Sequence, residues 1–307
     1  MKIYTITLNP AYDVHAYTAQ FAPFHENLAD VTSREAGGKG VNLSRALKNG
    51  GTEHTTIVVL GKDNCAEFKE DLAKAGLITL YLEKPGRIRE NLTLHSESQP
   101  ETRISFSGFP ADDSLLEDVA ALMEVDNDTV ITFTGRVASG MSMEKVKGFL
   151  KALQAKGAKI VLDSKSFAAQ DIFEIAPWLI KPNQEEVSQY LNCPIDTLEA
   201  AMEKAKIFAK HGIVNTMVSL GEQGAMLLHE TGCYIATPPA IDAKSTIGAG
   251  DSTLAGFIAA ASRGEDAAGC LRNAVTYGTA ACLTPGTLPP TAEDIAAIYP
   301  QVQLKKL

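Results

Sequence analysis

Runs of apolar and polar residues divide the chain into short strands and amphipathic helices that alternate over most of its length. Such alternation is typical of a mainly parallel sheet covered by helices on both faces. The predicted strands are Ile3–Leu8, Thr55–Leu60, Ile78–Leu82, Thr129–Phe133, Lys159–Leu162, Trp178–Lys181 and Asn215–Leu220. The predicted helices are Val41–Lys48, Asp63–Ala75, Asp112–Glu124, Ser142–Lys156, Asn183–Leu191, Thr197–His211, Ala267–Leu283 and Thr291–Ile298, with a further helix inside Lys244–Arg263. Asp63 and Asp112 are predicted to cap the helices that they begin.

Two segments break this alternation. Residues 14–34 are polar with scattered aromatic residues and predict extended chain, and residues 88–95 with 101–106 predict a hairpin turning near Gln99-Pro100. A second antiparallel pair is predicted at Ala225–His229 and Cys233–Thr237. No linker or repeat separates the parts. We therefore predict one α/β domain, 1–307, with a small β lid formed by insertions at about 14–34 and 87–106.

Composition narrows the class of protein. A hydrophobic content of 45% with 21% charged residues is that of a globular domain, and a net charge of -9 argues against a nucleic-acid partner. The five cysteines are scattered without paired metal-ligand spacing, which favours reduced thiols. Neither a signal peptide nor an apolar run long enough to span a membrane is visible, so we expect a cytoplasmic protein without membrane partners.

The most informative stretch is Lys244–Arg263, in which Gly248, Ala249 and Gly250 lead through Asp251 into an apolar, alanine-rich helix. Glycines before a helix leave N–H groups free to bind an anion at the positive end of the helix dipole. Asp251 can be explained as a helix N-cap or as a general base beside a bound phosphate. The local sequence leaves both explanations open.

Four further polar clusters fall at the ends of predicted strands, where ligands of open parallel sheets bind. Each has a purely structural alternative: a solvated turn for Asp13, a glycine-rich loop for residues 37–42, a helix capping box for Asn183 with Glu186, and a tight glycine hairpin for residues 219–224. The candidate residues are Asp13; Gly37, Gly38, Lys39 and Asn42; Asn183 and Glu186; and Ser219, Gly221 and Gly224.

Together and in this order, five motifs resemble those of the ribokinase-like (PfkB) carbohydrate kinases: TLNPAYD, GGKGVN, KPNQEE, SLGEQGA and TIGAGDS. The opening motif resembles the branch of 1-phosphofructokinase and tagatose-6-phosphate kinase. The resemblance covers essentially the whole chain. It implies a ribokinase-like three-layer fold and an ATP-dependent, Mg²⁺-requiring transfer of a phosphoryl group to a sugar hydroxyl.

The resemblance also implies roles for individual residues. Asp251 matches the base and Gly248–Gly250 the anion hole, whereas Asn183 and Glu186 match an element that holds Mg²⁺ through water. Ser219, Gly221, Gly224 and Gly250 match nucleotide-phosphate contacts, and Asn273 falls near the adenine pocket. Asp13, Gly37, Gly38, Lys39 and Asn42 match sugar-binding positions, Arg89 matches a lid arginine that contacts substrate phosphate, and the lid implies a homodimer.

Three positions depart from the family pattern and bear on the acceptor. Leu28 stands where an arginine is common, Ile88 precedes Arg89 where threonine is common, and Arg136 lies in a loop that is usually Gly-Ser-Leu-Pro. Arg136 is a candidate replacement cation or a surface residue, and Arg103 is another candidate cation. The predicted acceptor is a ketohexose phosphate, with D-fructose 1-phosphate first, and with tagatose 6-phosphate or an unphosphorylated ketose as alternatives.

Two other classes of protein compete with a kinase. A nicotinamide-dependent oxidoreductase would carry GxGxxG after its first strand, where this chain has NPAYD. A non-catalytic sugar-binding regulator on the same fold is the second rival, and retention of Asp251 with its glycines argues against it.

Overall fold

The computed structural model describes residues 1–97, 99–195 and 197–307; Ser98, inside the predicted insertion at 87–106, and Asp196 lie outside the described residues. The strands are β1 (Lys2–Thr7), β2 (Ala11–Thr18), β3 (Asp30–Gly37), β4 (Thr55–Gly61), β5 (Thr79–Lys84), β6 (Arg89–Ser96), β7 (Thr102–Ser105), β8 (Thr129–Thr134), β9 (Lys159–Asp163), β10 (Leu179–Ile180), β11 (Asn215–Ser219), β12 (Ala225–His229), β13 (Gly232–Thr237) and β14 (Gln303–Lys306). The helices are α1 (Lys39–Asn49), α2 (Cys65–Lys74), α3 (Ser114–Ala121), α4 (Met143–Ala155), α5 (Ala169–Ile175), α6 (Gln184–Leu191), α7 (Leu198–Lys210), α8 (Ala249–Ser262), α9 (Ala267–Ala281) and α10 (Ala292–Ile298).

A ten-stranded central sheet has the order β14-β13-β12-β11-β10-β9-β8-β1-β4-β5. Its strands from β11 to β5 pair in parallel, and β12, β13 and β14 extend one side antiparallel. One buried cluster lies under α3 to α7 and another under α1, α8, α9 and α10. The predicted three-layer α/β fold is therefore confirmed. All five cysteines, which lie within the described ranges, are free thiols.

A second, four-stranded sheet has the order β3-β2-β6-β7 and is called the small sheet below. Its centre is the parallel pair β2 and β6, flanked by antiparallel partners. Strand β2 begins at Ala11, which pairs with Gly37 at the end of β3. Asp13 therefore lies inside β2 and not in a loop after β1. The small sheet thus carries Asp13, one of the candidate residues.

Several local predictions were wrong for identifiable reasons. Asp63 does not cap α2, because the N-cap is the next residue, Asn64, and the helix begins at Cys65. The Asn64 side-chain amide makes no cap bond and instead pairs with the backbone of Ile88 at 2.7 and 3.0 Å. Asp112 lies one residue before the N-cap of α3, although its carboxylate accepts the Ser114 N–H at 2.9 Å. In the part of the chain that the structure describes, no helix combines the length and apolar character needed to cross a membrane.

Candidate active site

A cavity of about 1470 Å³ lies between the carboxyl ends of the parallel strands and the small sheet. This is the edge at which ligands of open α/β sheets bind. Most of the residues singled out in the sequence line it: Asp13, Gly38, Lys39, Asn42, Arg89, Asn183, Glu186, Ser219, Gly221, Gly224, Gly248, Ala249, Gly250 and Asp251. Gly37 and Asn273 do not.

Asp251 lies at the base of the cavity in the first turn of α8. Gly248, with φ of 79°, is the N-cap, so the expectation that Asp251 could itself be the cap was wrong. Its carboxylate accepts a hydrogen bond from Asn42 Nδ2 at 3.1 Å. Burial raises the pKa of Asp251 to about 6, against the opposing charge of Lys39. A carboxylate with this pKa is mostly ionised near neutral pH and is still basic enough to accept a proton.

The start of α8 presents groups suited to an anion. The first N–H groups of a helix have no acceptor within it, and the helix dipole adds positive potential there. A side chain at Gly250 would place its Cβ 3.2 Å from Lys181 Nζ, so glycine lets the ammonium lie close against the first turn. Backbone amides and one lysine therefore converge beside Asp251.

Asp163 is a site residue that the sequence reasoning missed. It ends β9, is buried, and bonds Lys39 Nζ through both oxygens at 3.0 Å, with Lys181 Nζ at 3.6 Å. Burial opposes its ionisation, but the two lysines outweigh burial and lower the pKa of Asp163. For Lys39, burial is likewise outweighed by Asp163 and Asp251, and its pKa is raised. The available signal was an acid at a strand end, the same signal used for Asp13.

The Asn183–Glu186 pair forms the capping box that was its structural alternative. Asn183 Oδ1 accepts the Glu186 N–H at 2.7 Å, and Glu186 Oε2 accepts the Asn183 N–H at 3.1 Å. Glu186 also lines the cavity, with Lys165 Nζ 3.6 Å from its Oε1. The cap fixes the Glu186 carboxylate at the cavity wall, so the two explanations are compatible.

The small sheet supplies the opposite wall. The parallel register pairs Asp13 with Asn91 and Ala11 with Arg89, and Asp13 Oδ1 accepts Asn91 Nδ2 at 2.9 Å. Gly37 lies behind Asp13, where a side chain would clash with that carboxylate. It therefore supports Asp13 from outside the cavity.

The nucleotide-loop candidates form a tight turn between β11 and β12. A 3-10 turn at Gly221–Gln223 is closed by the Leu220 N–H bonding the Gly224 oxygen at 2.9 Å, and both glycines have positive φ. The cavity also has an apolar part, to which Ile241, Ile247, Val275 and Cys282 contribute. The same cavity thus contains a glycine turn and an apolar wall.

Asn273 does not belong to this apolar part. It is buried between α8 and α9, where its amide donates to Glu265 Oε2 at 2.9 Å and Gly269 oxygen at 3.0 Å and accepts from Arg263 at 3.1 Å. Its hydrogen bonds are thus made within the protein. Asn273 therefore does not line the cavity, and its contact with a nucleotide stays a prediction.

The chain is similar to known proteins over its whole length. The model of the pfkB family carbohydrate kinases matches residues 6–294. The 1-phosphofructokinase of Escherichia coli strain K12 is 33% identical over 84% of this chain and 83% of its own, and that of Vibrio cholerae is 30% identical over 100% and 97%. The structure of Escherichia coli phosphofructokinase-2 in complex with fructose-6-phosphate superposes with a TM-score of 0.90 at 26% identity, covering 97% and 98% of the two chains.

Proposed function

Because the chain belongs to the pfkB family of carbohydrate kinases, and is thus a phosphotransferase, we propose that it phosphorylates a primary hydroxyl of a ketohexose phosphate. The leading acceptor is D-fructose 1-phosphate, which would become fructose 1,6-bisphosphate with ATP as donor. Relatives named 1-phosphofructokinase support this acceptor.

The observation that carries the proposal is a concentration of unpaired polar groups. Within the described ranges, eight buried side-chain nitrogen or oxygen atoms lack a hydrogen-bond partner, and five of them belong to residues lining the cavity. Buried polar groups are normally paired, so their clustering marks a place for a polar ligand. The five residues are Thr7, Asn9, Asn42, Arg89 and Thr134. Four offer hydroxyl or amide oxygens suited to sugar hydroxyls, and Arg89 offers an N–H suited to a phosphate.

In the proposed reaction Asp251 takes the proton of the acceptor hydroxyl as that oxygen attacks the γ-phosphorus of ATP. The bond to the β,γ-bridging oxygen breaks and ADP leaves. Amides at the start of α8, with Lys181, neutralise charge on the transferring oxygens. Phosphoryl transfer depends mainly on such alignment and charge stabilisation.

The donor set suits Mg²⁺. In the described part of the chain no three His, Cys, Asp or Glu side chains form a metal cage. Mg²⁺ commonly binds through one or two carboxylates and keeps several waters, so Glu186 at the cavity wall would hold it through water. Asn183 would act by holding Glu186, and the metal would neutralise phosphate charge. Gly221 and Gly224 would face the ATP phosphates beside Ser219.

Tagatose 6-phosphate and an unphosphorylated ketose are the alternatives, since a furanose has primary carbons at both ends. A coupled ADP-release screen over phosphosugars and free ketoses tests the proposal. Turnover should be highest with a ketohexose phosphate. No turnover, with sugar binding intact, would favour a sugar-binding regulator.

We also propose a homodimer through the small sheet. Exposed large apolar side chains of the protein are concentrated on the small sheet and in the β2–β3 loop. Such a concentration is unusual for a surface in contact with water. Phe24 and Leu28 are 103% and 92% exposed, and Val31, Ile104 and Phe106 are also exposed. The small sheet of a second copy of this chain would present the same apolar side chains and would cover this surface.

A further inference from the structure

Arg136 lies on the main body of the protein, opposite the small sheet, and its backbone is fixed on both sides. The preceding Gly135 N–H bonds the oxygen of Asp163 at 3.0 Å, and the following Val137 N–H bonds Ser166 Oγ at 3.1 Å. Gly135 has φ of 84°, which lets the loop turn directly after β8. The side chain itself is exposed and lines the cavity. The backbone at Arg136 is therefore fixed by hydrogen bonds, and Arg136 does not belong to a loose surface loop.

Arg136 shares the cavity with two arginines of the small sheet, Arg89 on β6 and Arg103 on β7. Across residues 1–97, 99–195 and 197–307, none of the three forms an ion pair with a carboxylate. Arg89 Nε has no hydrogen-bond partner there, and its Nη1 contacts only uncharged groups, at 3.2 Å and 3.3 Å. Three guanidinium groups thus face one space in a chain of net charge -9.

Like charges in one cavity repel each other unless an anion lies between them. Burial lowers the pKa of Arg89, and the positive charge of Arg136 lowers it further. Asp13 is the nearby carboxylate, but it accepts Asn91 and belongs to the hydroxyl-binding wall. A phosphate dianion would relieve the repulsion and accept paired guanidinium hydrogen bonds.

We propose that Arg136 determines the specificity for a phosphorylated acceptor by binding its phosphate from the main body while Arg89 and Arg103 bind it from the small sheet. The inference rests on the proposed function and adds that the acceptor phosphate joins the two parts of the protein. A phosphorylated ketose would hold the small sheet over the cavity, and an unphosphorylated ketose would leave it free.

The test compares Arg136→Gln with Arg87→Gln, whose arginine is also exposed and without an ion pair in the described chain but does not line the cavity. Steady-state kinetics with fructose 1-phosphate and with fructose should show the KM for the phosphorylated sugar raised about 10- to 100-fold in Arg136→Gln, the loss expected for a charged hydrogen bond. The KM for fructose should not change, and Arg87→Gln should match the wild type. Arg136→Lys keeps the charge but not the paired N–H groups of the guanidinium, so its KM for fructose 1-phosphate should lie between those of the wild type and Arg136→Gln.

Hydrogen exchange supplies a readout that does not depend on turnover. Fructose 1-phosphate should slow amide exchange in β6 and β7 of the wild type and of Arg87→Gln, and should do so much less in Arg136→Gln. If the wild type phosphorylates a phosphosugar while KM and exchange are unchanged in Arg136→Gln, the role of Arg136 is refuted and the proposed function stands. If the wild type phosphorylates no phosphosugar, the proposed function itself fails.

Discussion

Replacing Asp251 with asparagine should stabilise the folded protein while removing its activity. Asparagine keeps the shape of the side chain and removes a charge that is unfavourable in the buried site. The pKa of Asp251 is raised from 3.8 to about 6 by burial, and two pKa units correspond to about 3 kcal/mol. Because the folded-state pKa is raised, this cost is absent below the unfolded pKa and reaches its full size above pH 6.

The neighbouring Asp163 provides a matched control of opposite sign. Its pKa is lowered because the charges of Lys181 and Lys39 outweigh burial, so its ionised form stabilises the fold above its unfolded pKa. Asp163→Asn leaves two lysines without their buried partner, which costs about 3–5 kcal/mol for such pairs. The two variants make the same chemical change within one cluster of charges.

Urea unfolding at pH 5 and pH 8 measures both effects. Asp251→Asn should raise the free energy of unfolding by up to about 3 kcal/mol at pH 8 and by much less at pH 5, while Asp163→Asn should lower it at both. Loss of stability in Asp251→Asn at pH 8 would refute the assignment of Asp251 as a destabilised, catalytically poised carboxylate.

Three further outcomes are expected. The log of kcat/KM should fall with unit slope below about pH 6, where Asp251 becomes protonated, and a flat profile from pH 5 to 7.5 would remove Asp251 from the base role. In Lys39→Ala this inflection should move to higher pH, because the Lys39 charge lowers the pKa of Asp251; an unmoved inflection would separate the two groups. Leu28→Glu should shift the sedimentation coefficient from dimer to monomer, since Leu28 is exposed in the β2–β3 loop of the small sheet, and an unchanged value would place the interface elsewhere.

The sequence was most informative where local patterns determine structure. Alternating strands and helices predicted the parallel sheet, and the Asn183–Glu186 spacing predicted a capping box that the structure contains. Helix α5 was not predicted because its N-cap is an alanine, which has no capping side chain. Strand β14 was missed because three of the four residues of Gln303–Lys306 are polar, and the segment forms a strand only by pairing with β13, far away in sequence.

Contacts between distant segments account for the rest of the site. Asp163 becomes part of the site only because the fold brings Lys39 and Lys181 to its carboxylate at the end of β9. No pattern of neighbouring residues predicts either contact. Asn273 is close in sequence to residues that line the cavity, yet hydrogen bonds to Glu265 and Arg263 hold its side chain at the α8–α9 pair. The pairing of β2 with β6 likewise joins Asp13 to Asn91 across 78 residues.

The most direct test of the central claim is identification of the product by ³¹P NMR when the wild-type protein is given ATP, Mg²⁺ and fructose 1-phosphate. Formation of ADP together with a second phosphomonoester signal from fructose 1,6-bisphosphate, absent with Asp251→Asn, is the predicted result. No second phosphomonoester with this or any other ketohexose phosphate, or equal turnover by Asp251→Asn, would contradict the account.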